Sequence, residues 1–518
     1  MGFSIGTEHS VPTRMLALNL ADGLSGRAKL EVIQWLLLSR APRKALRDQL
    51  AGLLSAPATL GPCRLRRARF KPGRKLTAYY DALVHVEGTD GYRPRAIAVT
   101  WRSDRDEDQH GGTADLSGIQ AEALRQGVAA PFRQLTADLP ERSMHLEISP
   151  LDARFPQLVR VSDPRHVRDM LAGAYAASDR TPDQARPGRY AVTAIRYHPG
   201  QRHVLRYDRL DVAKGETVLA KLYTGEDGAR AFRVAGRAAD WLAEHGEGVT
   251  AVRPLAYVAE DAVVLYPRVV GAPLSERLQR PGAGVAECLE RAGAALHALH
   301  HLPPAVAGPL KLHDFAAEVS EIAREASDHI PALLPSVGPA IEGLLARAGE
   351  LHERLSQEPP TFTHGDFKSE HIWAGPGGFT LIDFDGCRLA DPAYDVGKFL
   401  ADLQLWFTAY DQEGLEQVQE QFLAGYAPRA PQERLLRARL YEAVQLVKIA
   451  RRVPLFDRDW AALTKQVIRR AQAVMNDLEL TLGLPATPSF LGFLDWSHNR
   501  HRTRRERRRQ RCRKGAWG

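Results

Sequence analysis

Three separated groups of residues carry the chemistry open to this chain. The segment Thr363-His-Gly-Asp-Phe-Lys-Ser-Glu-His-Ile presents the carboxylate of Asp366 between two histidines. Downstream, Leu381-Ile-Asp-Phe-Asp-Gly-Cys-Arg-Leu-Ala-Asp-Pro-Ala-Tyr-Asp-Val-Gly brings Asp383, Asp385, Asp391 and Asp395 into one short run. Far upstream, Lys221 stands alone within Leu-Ala-Lys-Leu-Tyr. Phosphoryl transfer needs a carboxylate to orient the attacking hydroxyl, a hard divalent cation to neutralise phosphate charge, and a fixed cation on the phosphates that stay behind. His-Gly-Asp by itself is also an ordinary turn or helix-cap composition. The order and spacing of the three groups single them out.

Different elements must position these groups. Around Lys221, residues 190–270 read mostly as strands and turns: strands at 191–197, 203–211 and 217–223, a His198-Pro-Gly-Gln turn, then a helix over 229–245 and two more strands. From 271 onward apolar residues recur at helical spacing, as in Leu289, Ala292, Leu296 and Leu299, or Leu436, Leu440, Ala443, Val447 and Ala450. Only 361–397 breaks the pattern, with short apolar runs between Gly, Asp and Pro, as expected for loops held by short strands. Residues 1–185 open with helical stretches over 30–54, pass into strand-like segments around 64–101 and end in the turn-rich 178–188. One partial repeat stands out: Arg69-Phe-Lys-Pro-Gly-Arg-Lys-Leu-Thr-Ala-Tyr-Tyr-Asp is similar to Arg196-Tyr-His-Pro-Gly-Gln-Arg-His-Val-Leu-Arg-Tyr-Asp. In the first copy Thr100 stands where the second offers Lys221, so a non-catalytic hairpin like that of the small lobe is expected there; Pro-Gly hairpins in general also look alike.

Taken together, the motifs resemble the aminoglycoside phosphotransferase and choline kinase-like superfamily, whose signature runs H-G-D-x-x-x-x-N, then I-D, then D-P-x-x-D. The resemblance covers about 190–480, with support from Leu265-Tyr-Pro-Arg-Val-Val-Gly-Ala-Pro-Leu and Ala295-Leu-His-Ala-Leu-His. It implies an α+β, two-lobed protein-kinase-like fold. A small, mainly β lobe spans 186–270 and a larger, mainly helical lobe 271–490. An extra α+β N-terminal domain occupies 1–185, and a basic tail 491–518. It also implies ATP and Mg²⁺. Asp366 would be the catalytic base, Asp383 would hold the metal, and Lys221 would steady the nucleotide phosphates. Gly200 and Arg202 would lie over those phosphates, and His364, Asp391 and Asp395 would brace the active-site loop. The implied activity is ATP-dependent transfer of a phosphoryl group to a hydroxyl of a small molecule such as a sugar, aminoglycoside or amino alcohol. The alternative is a nucleotide-binding pseudokinase with a regulatory or scaffolding role.

Two departures motivate that alternative. His371 stands where the signature has asparagine, and Mg²⁺ prefers oxygen to an imidazole nitrogen. The helix after Lys221 lacks a clearly placed glutamate to pair with it; Glu226 is the nearest candidate and also fits a solvated Gly-Glu-Asp-Gly turn.

Composition excludes several other classes. The chain has 518 residues, 44% hydrophobic and 25% charged, which suits a folded protein of several units. Its four scattered cysteines form no C-x-x-C pair, which points to a reducing setting. The longest apolar run near the N-terminus, Val32 to Leu38, is too short to span a bilayer, so a cytoplasmic protein with no membrane partner is expected. Of the +8 formal charge, the tail from Arg500 to Lys514 supplies ten Lys/Arg against one Glu, leaving the remainder near neutral. Any nucleic-acid contact is therefore confined to that tail, which also reads as a solvated end. His297 and His301 share a helical face without the glutamate of a metalloprotease motif. Asp402, Asp411, Glu413 and Glu416 are candidates to meet an amine-bearing substrate, or simply solvated helix faces. Neither substrate identity nor oligomeric state is written in a short motif.

Overall fold

The computed structural model describes residue 24 and residues 30–484, apart from 89–90, 103–115, 177–187, 213–215, 247, 280–283 and 376–377. The expected domain limits at 185 and 490 and the basic tail lie outside the described residues.

The chain begins with α1 (Leu30–Leu38) and α2 (Arg40–Leu53). The sequence reads as one helical stretch here, but Pro42 lacks an amide proton and its ring collides with the carbonyl four residues back, so the helix restarts after Ser39. Five strands follow: β1 (Ala58–Lys71), β2 (Lys75–Val86), β3 (Arg93–Arg102), β4 (Thr136–Leu139) and β5 (Met144–Ile148), with α3 (Leu116–Arg125) between β3 and β4. They form a sheet of order β1-β2-β3-β5-β4. After α4 (Pro164–Ala176) comes a second set: β6 (Tyr190–His198), β7 (Arg202–Arg209), β8 (Thr217–Leu222), α5 (Asp227–His245), β9 (Val249–Ala251), β10 (Ala256–Val258) and β11 (Val263–Pro267). Its sheet has the order β10-β11-β8-β7-β6.

The two sheets match in detail. Each opens with a hairpin turning through Pro-Gly, with Gly73 and Gly200 both at φ +70°, a conformation glycine adopts without steric cost. Arg69 faces Thr77 and Thr77 faces Thr100 in the first sheet; Arg196 faces Val204 and Val204 faces Lys221 in the second. The last two strands of each are joined by a 3₁₀ turn, Pro140–Arg142 or Ala259–Asp261, ending in a left-handed residue, Ser143 or Ala262. The similarity of the two sequence segments therefore extends to strand order, register and turn.

The sheets also share a core. Tyr79, Ala96 and Ala98 pack with Tyr197, Leu205 and Tyr207, together with α4 residues such as Leu171. Asp152, 2% exposed, lies between the two. Its carboxylate accepts from the Gly200 amide at 2.7 Å and from His203 Nε2 at 2.6 Å. The Tyr197 and Tyr207 hydroxyls donate to the carbonyls of Leu151 and Val161.

The remainder is mainly helical, as its periodicity implies: α6 (Val285–His300), α7 (Phe315–Leu333), α8 (Gly338–Arg354), α9 (Ala393–Tyr410), α10 (Leu415–Tyr426), α11 (Gln432–Ala450) and α12 (Trp460–Thr481). Helices α9 and α11 approach so closely at Gly397 that an added Cβ would lie 2.5 Å from the Ala438 carbonyl oxygen. Short strands β12 (Ala272–Pro273), β13 (Thr361–Thr363), β14 (Ile372–Gly375), β15 (Gly378–Leu381) and β16 (Arg388–Ala390) frame the loops of 361–397. The mixed α+β, two-lobed arrangement is the one the resemblance implies. Among the described residues no helix is long and apolar enough to cross a membrane.

Replacing Asp152 with alanine strands the Gly200 amide and the His203 ring in an apolar setting, which costs about 2–4 kcal/mol in all. Urea unfolding should show that loss, and Asp152→Asn should recover part of it. A loss below about 0.5 kcal/mol, the scatter of ordinary surface changes, would mean that Asp152 does not tie the two sheets.

Candidate active site

Asp366 sits in the loop after β13 and His371 in the 3₁₀ turn before β14; Asp383 follows β15 in a left-handed conformation, φ +65°. For a residue with a Cβ that backbone is strained, by about 1 kcal/mol or more. The loop of Asp366 is pressed against the loop of Asp383. Gly365, at φ +75°, leaves no room for a side chain, because a Cβ would meet the Gly386 carbonyl oxygen at 2.0 Å. Asp395, fully buried, accepts from the His364 and Gly365 amides at 2.6 and 2.9 Å and faces His300 Nε2 at 3.3 Å. His364 Nε2 meets the Ile382 carbonyl at 3.1 Å and so joins the two loops. Asp391 accepts from the Ala393 amide at 2.9 Å and from Arg437 Nε at 2.6 Å.

From the other lobe, Lys221 reaches across. Its ammonium lies 2.6 Å from Asp383 Oδ1 and also pairs with Asp385. The Tyr223 hydroxyl donates to Asp385 at 2.7 Å. Arg202 stands 3.9 Å from both carboxylates. His371 bridges the Asp366 and Asp383 loops: Nδ1 lies 2.9 Å from the Asp366 backbone carbonyl and Nε2 lies 3.4 Å from Asp383 Oδ2. Because a carbonyl only accepts, Nδ1 carries the proton and Nε2 presents a lone pair toward the carboxylate. Ligand atoms of Asp366, His371 and Asp383 all fall within 4.8 Å of one another. Two electron-rich atoms facing each other with no proton between them fit a divalent cation.

The charges follow from this packing. Burial works to raise the Asp366 pKa, but Lys398 at 3.1 Å and Lys368 at 2.9 Å outweigh it and leave the carboxyl well below its usual range. Burial likewise works to raise the Asp383 pKa, and the Lys221 charge drives it strongly down. Burial and the Lys368 charge push His371 down to about 3, so its ring is neutral. Sequence reasoning missed Lys368 and Lys398. Their signals were position alone: two residues after Asp366, and three after Asp395 on the helix that follows D-P-x-x-D.

Other expectations fare differently. The Gly200 amide is donated to Asp152, and its carbonyl accepts from Arg154 at 3.1 Å, so the turn expected over the phosphates is held by the first sheet's unit. Glu226 is exposed at the start of α5 and does not meet Lys221, whose partners are Asp383 and Asp385. His297 and His301 spend ring nitrogens on the carbonyls of Arg429 and His297. Asp402 is buried and held by Ser369 and Arg452, and Glu416 pairs with Arg470.

Residues 194–436 match the phosphotransferase enzyme family. The matched segment contains Lys221, Asp366, His371 and Asp383, and ends within α11. Among solved structures, the chain is similar to a spectinomycin phosphotransferase in complex with ADP and spectinomycin: 13% identity, TM-score 0.40, covering 55% of this chain and 92% of that one. A choline/ethanolamine kinase family protein from Mesorhizobium loti gives 18% identity and TM-score 0.39, covering 59% and 94%. A choline kinase from Cryptosporidium parvum gives 11% and 0.44, covering 62% and 98%. No curated protein sequence matches the chain. The matched segment thus starts inside β6, and the first sheet lies outside it.

His198, in the turn above this site, is neutral in the fold: burial, then the charges of Arg67 and Arg196, push its pKa down to about 3. An unfolded histidine titrates near 6.5, so below that pH the unfolded chain takes up a proton that the native one refuses. Stability should therefore fall as pH drops from 6.5 toward 3, by at most about 1.4 kcal/mol per pH unit from this residue. Melting temperatures at pH 7 and pH 5 should converge in His198→Gln relative to the parent; equal losses in both proteins would mean the ring is already protonated when folded.

Proposed function

We propose that this protein is an ATP-dependent O-phosphotransferase acting on a small-molecule hydroxyl. One observation carries the reading: Lys221, Asp366, His371 and Asp383, drawn from separated segments, converge on a single cleft between a β lobe and a helical lobe. In the reaction the acceptor hydroxyl oxygen bonds to the γ-phosphorus, the bond from that phosphorus to the β-bridging oxygen breaks, ADP leaves and the hydroxyl proton passes to Asp366. A carboxylate held so far below its ordinary range is a weak base. Asp366 thus serves chiefly to orient the hydroxyl and takes the proton late. Lys368 and Lys398, both on that carboxylate, face the phosphoryl group in transit. Lys221 exchanges its carboxylate partners for nucleotide phosphates, with Arg202 beside it.

Asp383 and His371 would hold the divalent cation, which supplies charge neutralisation on the phosphates. Mg²⁺ is the family's expectation, yet a neutral imidazole nitrogen suits Mn²⁺ better than Mg²⁺. Cys63, Cys288 and Cys387 carry free thiols, which suits a cytoplasmic setting. We further read the first sheet as a small-lobe copy without a nucleotide role, because Thr100 occupies the register position of Lys221.

Thermal stability of the full chain with ATP, alone and with Mg²⁺ or Mn²⁺, tests the site: a metal-dependent rise is expected, larger with Mn²⁺, and no rise under any condition would overturn the reading. Asp366→Ala should abolish ATP turnover by about 10²-fold or more once an acceptor is in hand, while leaving the nucleotide-induced rise intact. His371→Asn should move the metal preference toward Mg²⁺, read as Mn²⁺ affinity by electron paramagnetic resonance; unchanged affinity would remove His371 from the ligand set.

A further inference from the structure

Two guanidiniums above the catalytic loop have no hydrogen bond or ion pair among the described residues. Arg196 lies in β6, directly opposite Val204, which is opposite Lys221. Directly opposed residues share a face of a sheet, and two strand spacings amount to about 10 Å. Arg196 therefore projects from the same face as the nucleotide lysine. The next residue, Tyr197, points the other way into the core shared with the first sheet. Arg196 is exposed; crowding in the cleft and the charge of Arg202 hold it below its ordinary range, against the pull of the nearby Asp383, Glu370 and Asp366 carboxylates.

Arg67 comes from the first sheet. It is exposed in β1 opposite Tyr79, whose ring centroid lies 4.3 Å from that of His198. Its charged neighbours are Arg196, Arg69 and Arg452. Arg452, just past α11, bonds Glu370 at 2.8 Å and Asp402 at 2.6 Å. Arg67 therefore lies on the side of the cleft where Arg452 pairs with Glu370, four residues beyond Asp366.

On that side the carboxylates are already spent. Asp366 is held by Lys368 and Lys398, Glu370 by Arg452 and Lys368, and Asp402 by Ser369 and Arg452. An ammonium-bearing acceptor would find no free counter-charge there. An anion would find two unpaired guanidiniums, whose planar fork binds phosphate or carboxylate bidentately.

We infer that Arg67 and Arg196 together receive an anionic group of the acceptor, so that the substrate is a hydroxyl compound bearing a phosphate or a carboxylate. This rests on the phosphotransferase reading. It also gives the first sheet a part in the site, since one of the two receptors belongs to it.

The test uses the full chain saturated with a non-hydrolysable ATP analogue and Mn²⁺, which fills the nucleotide phosphate sites. Inorganic phosphate and acetate are then titrated by calorimetry, separating the two anion chemistries. At least one should bind, weaken with added salt, and bind about tenfold or more weaker in Arg196→Ala and in Arg67→Ala, with a smaller loss in Arg196→Lys. Both arginines are exposed and unpaired, so the variants should melt within a few degrees of the parent. Three outcomes overturn the inference: neither anion binds the loaded protein, binding is unchanged in both alanine variants, or Arg196→Ala weakens the ATP analogue as much as the anion, which would assign Arg196 to the nucleotide. Failure of the analogue to bind at all counts against the phosphotransferase reading instead, and the same titration on the free chain then still reads the arginine pair.

Discussion

An ammonium ion lodged between two carboxylates holds the site together. Lys221 projects from the middle of a five-stranded sheet, while Asp383 and Asp385 come from a loop of the helical lobe more than 160 residues later. A charge this far from water is tolerated only when its partners are fixed, and here they are fixed in turn. Tyr223 donates to Asp385, His371 abuts Asp383, and the left-handed backbone at Asp383 turns its carboxylate toward the cleft. The relative placement of the two lobes at the cleft therefore depends on electrostatics as well as on packing. In the proposed reaction, a nucleotide taking over the lysine would leave the two carboxylates in need of a compensating cation, which a metal at this point would supply.

The strain at Asp383 and the close approach at Gly365 are borne by buried polar groups rather than by apolar contacts. Asp395 accepts two successive backbone amides of the His364-Gly365 loop and meets His300 from α6. Burial opposes its charge, yet the histidine and the amides still leave its pKa below the usual carboxylate value. A loop anchored in this way can present Asp366 in one orientation. The two lysines on Asp366 hold its carboxyl well below the usual range, which makes it a weak base.

Much of this arrangement was legible in the sequence because its signals are local. His364 to His371 and Asp383 to Asp395 are each contiguous, and their neighbours are turn formers, so both loops and their order could be read directly. Strand positions around Lys221 followed from alternation and from Pro199-Gly200. What escaped was long-range. The acceptor for the Gly200 amide is Asp152, 48 residues upstream, and the Lys398 contact depends on how α9 packs beneath the loop. No periodicity reports on either. The break between α1 and α2 was legible in principle, since Pro42 stands in the run, but apolar spacing on both sides masked it.

The first sheet repeats the architecture of the second without its lysine. Its register matches that of the second sheet through the hairpin and the third strand, yet at the position of Lys221 it carries Thr100, whose hydroxyl meets that of Thr77 at 3.2 Å. Its hairpin meets the neighbouring lobe. Arg69 bonds Gln201, Tyr79 packs on His198, and Phe70 offers its carbonyl to His329 of the helical lobe. The turn over the cleft is therefore gripped from outside by side chains and from below by Asp152. Glycine-bearing turns of this kind are free to move when their amides are unbound; here the amide is committed, and the freedom that Gly200 provides is used to bring the backbone against a carboxylate of the same chain.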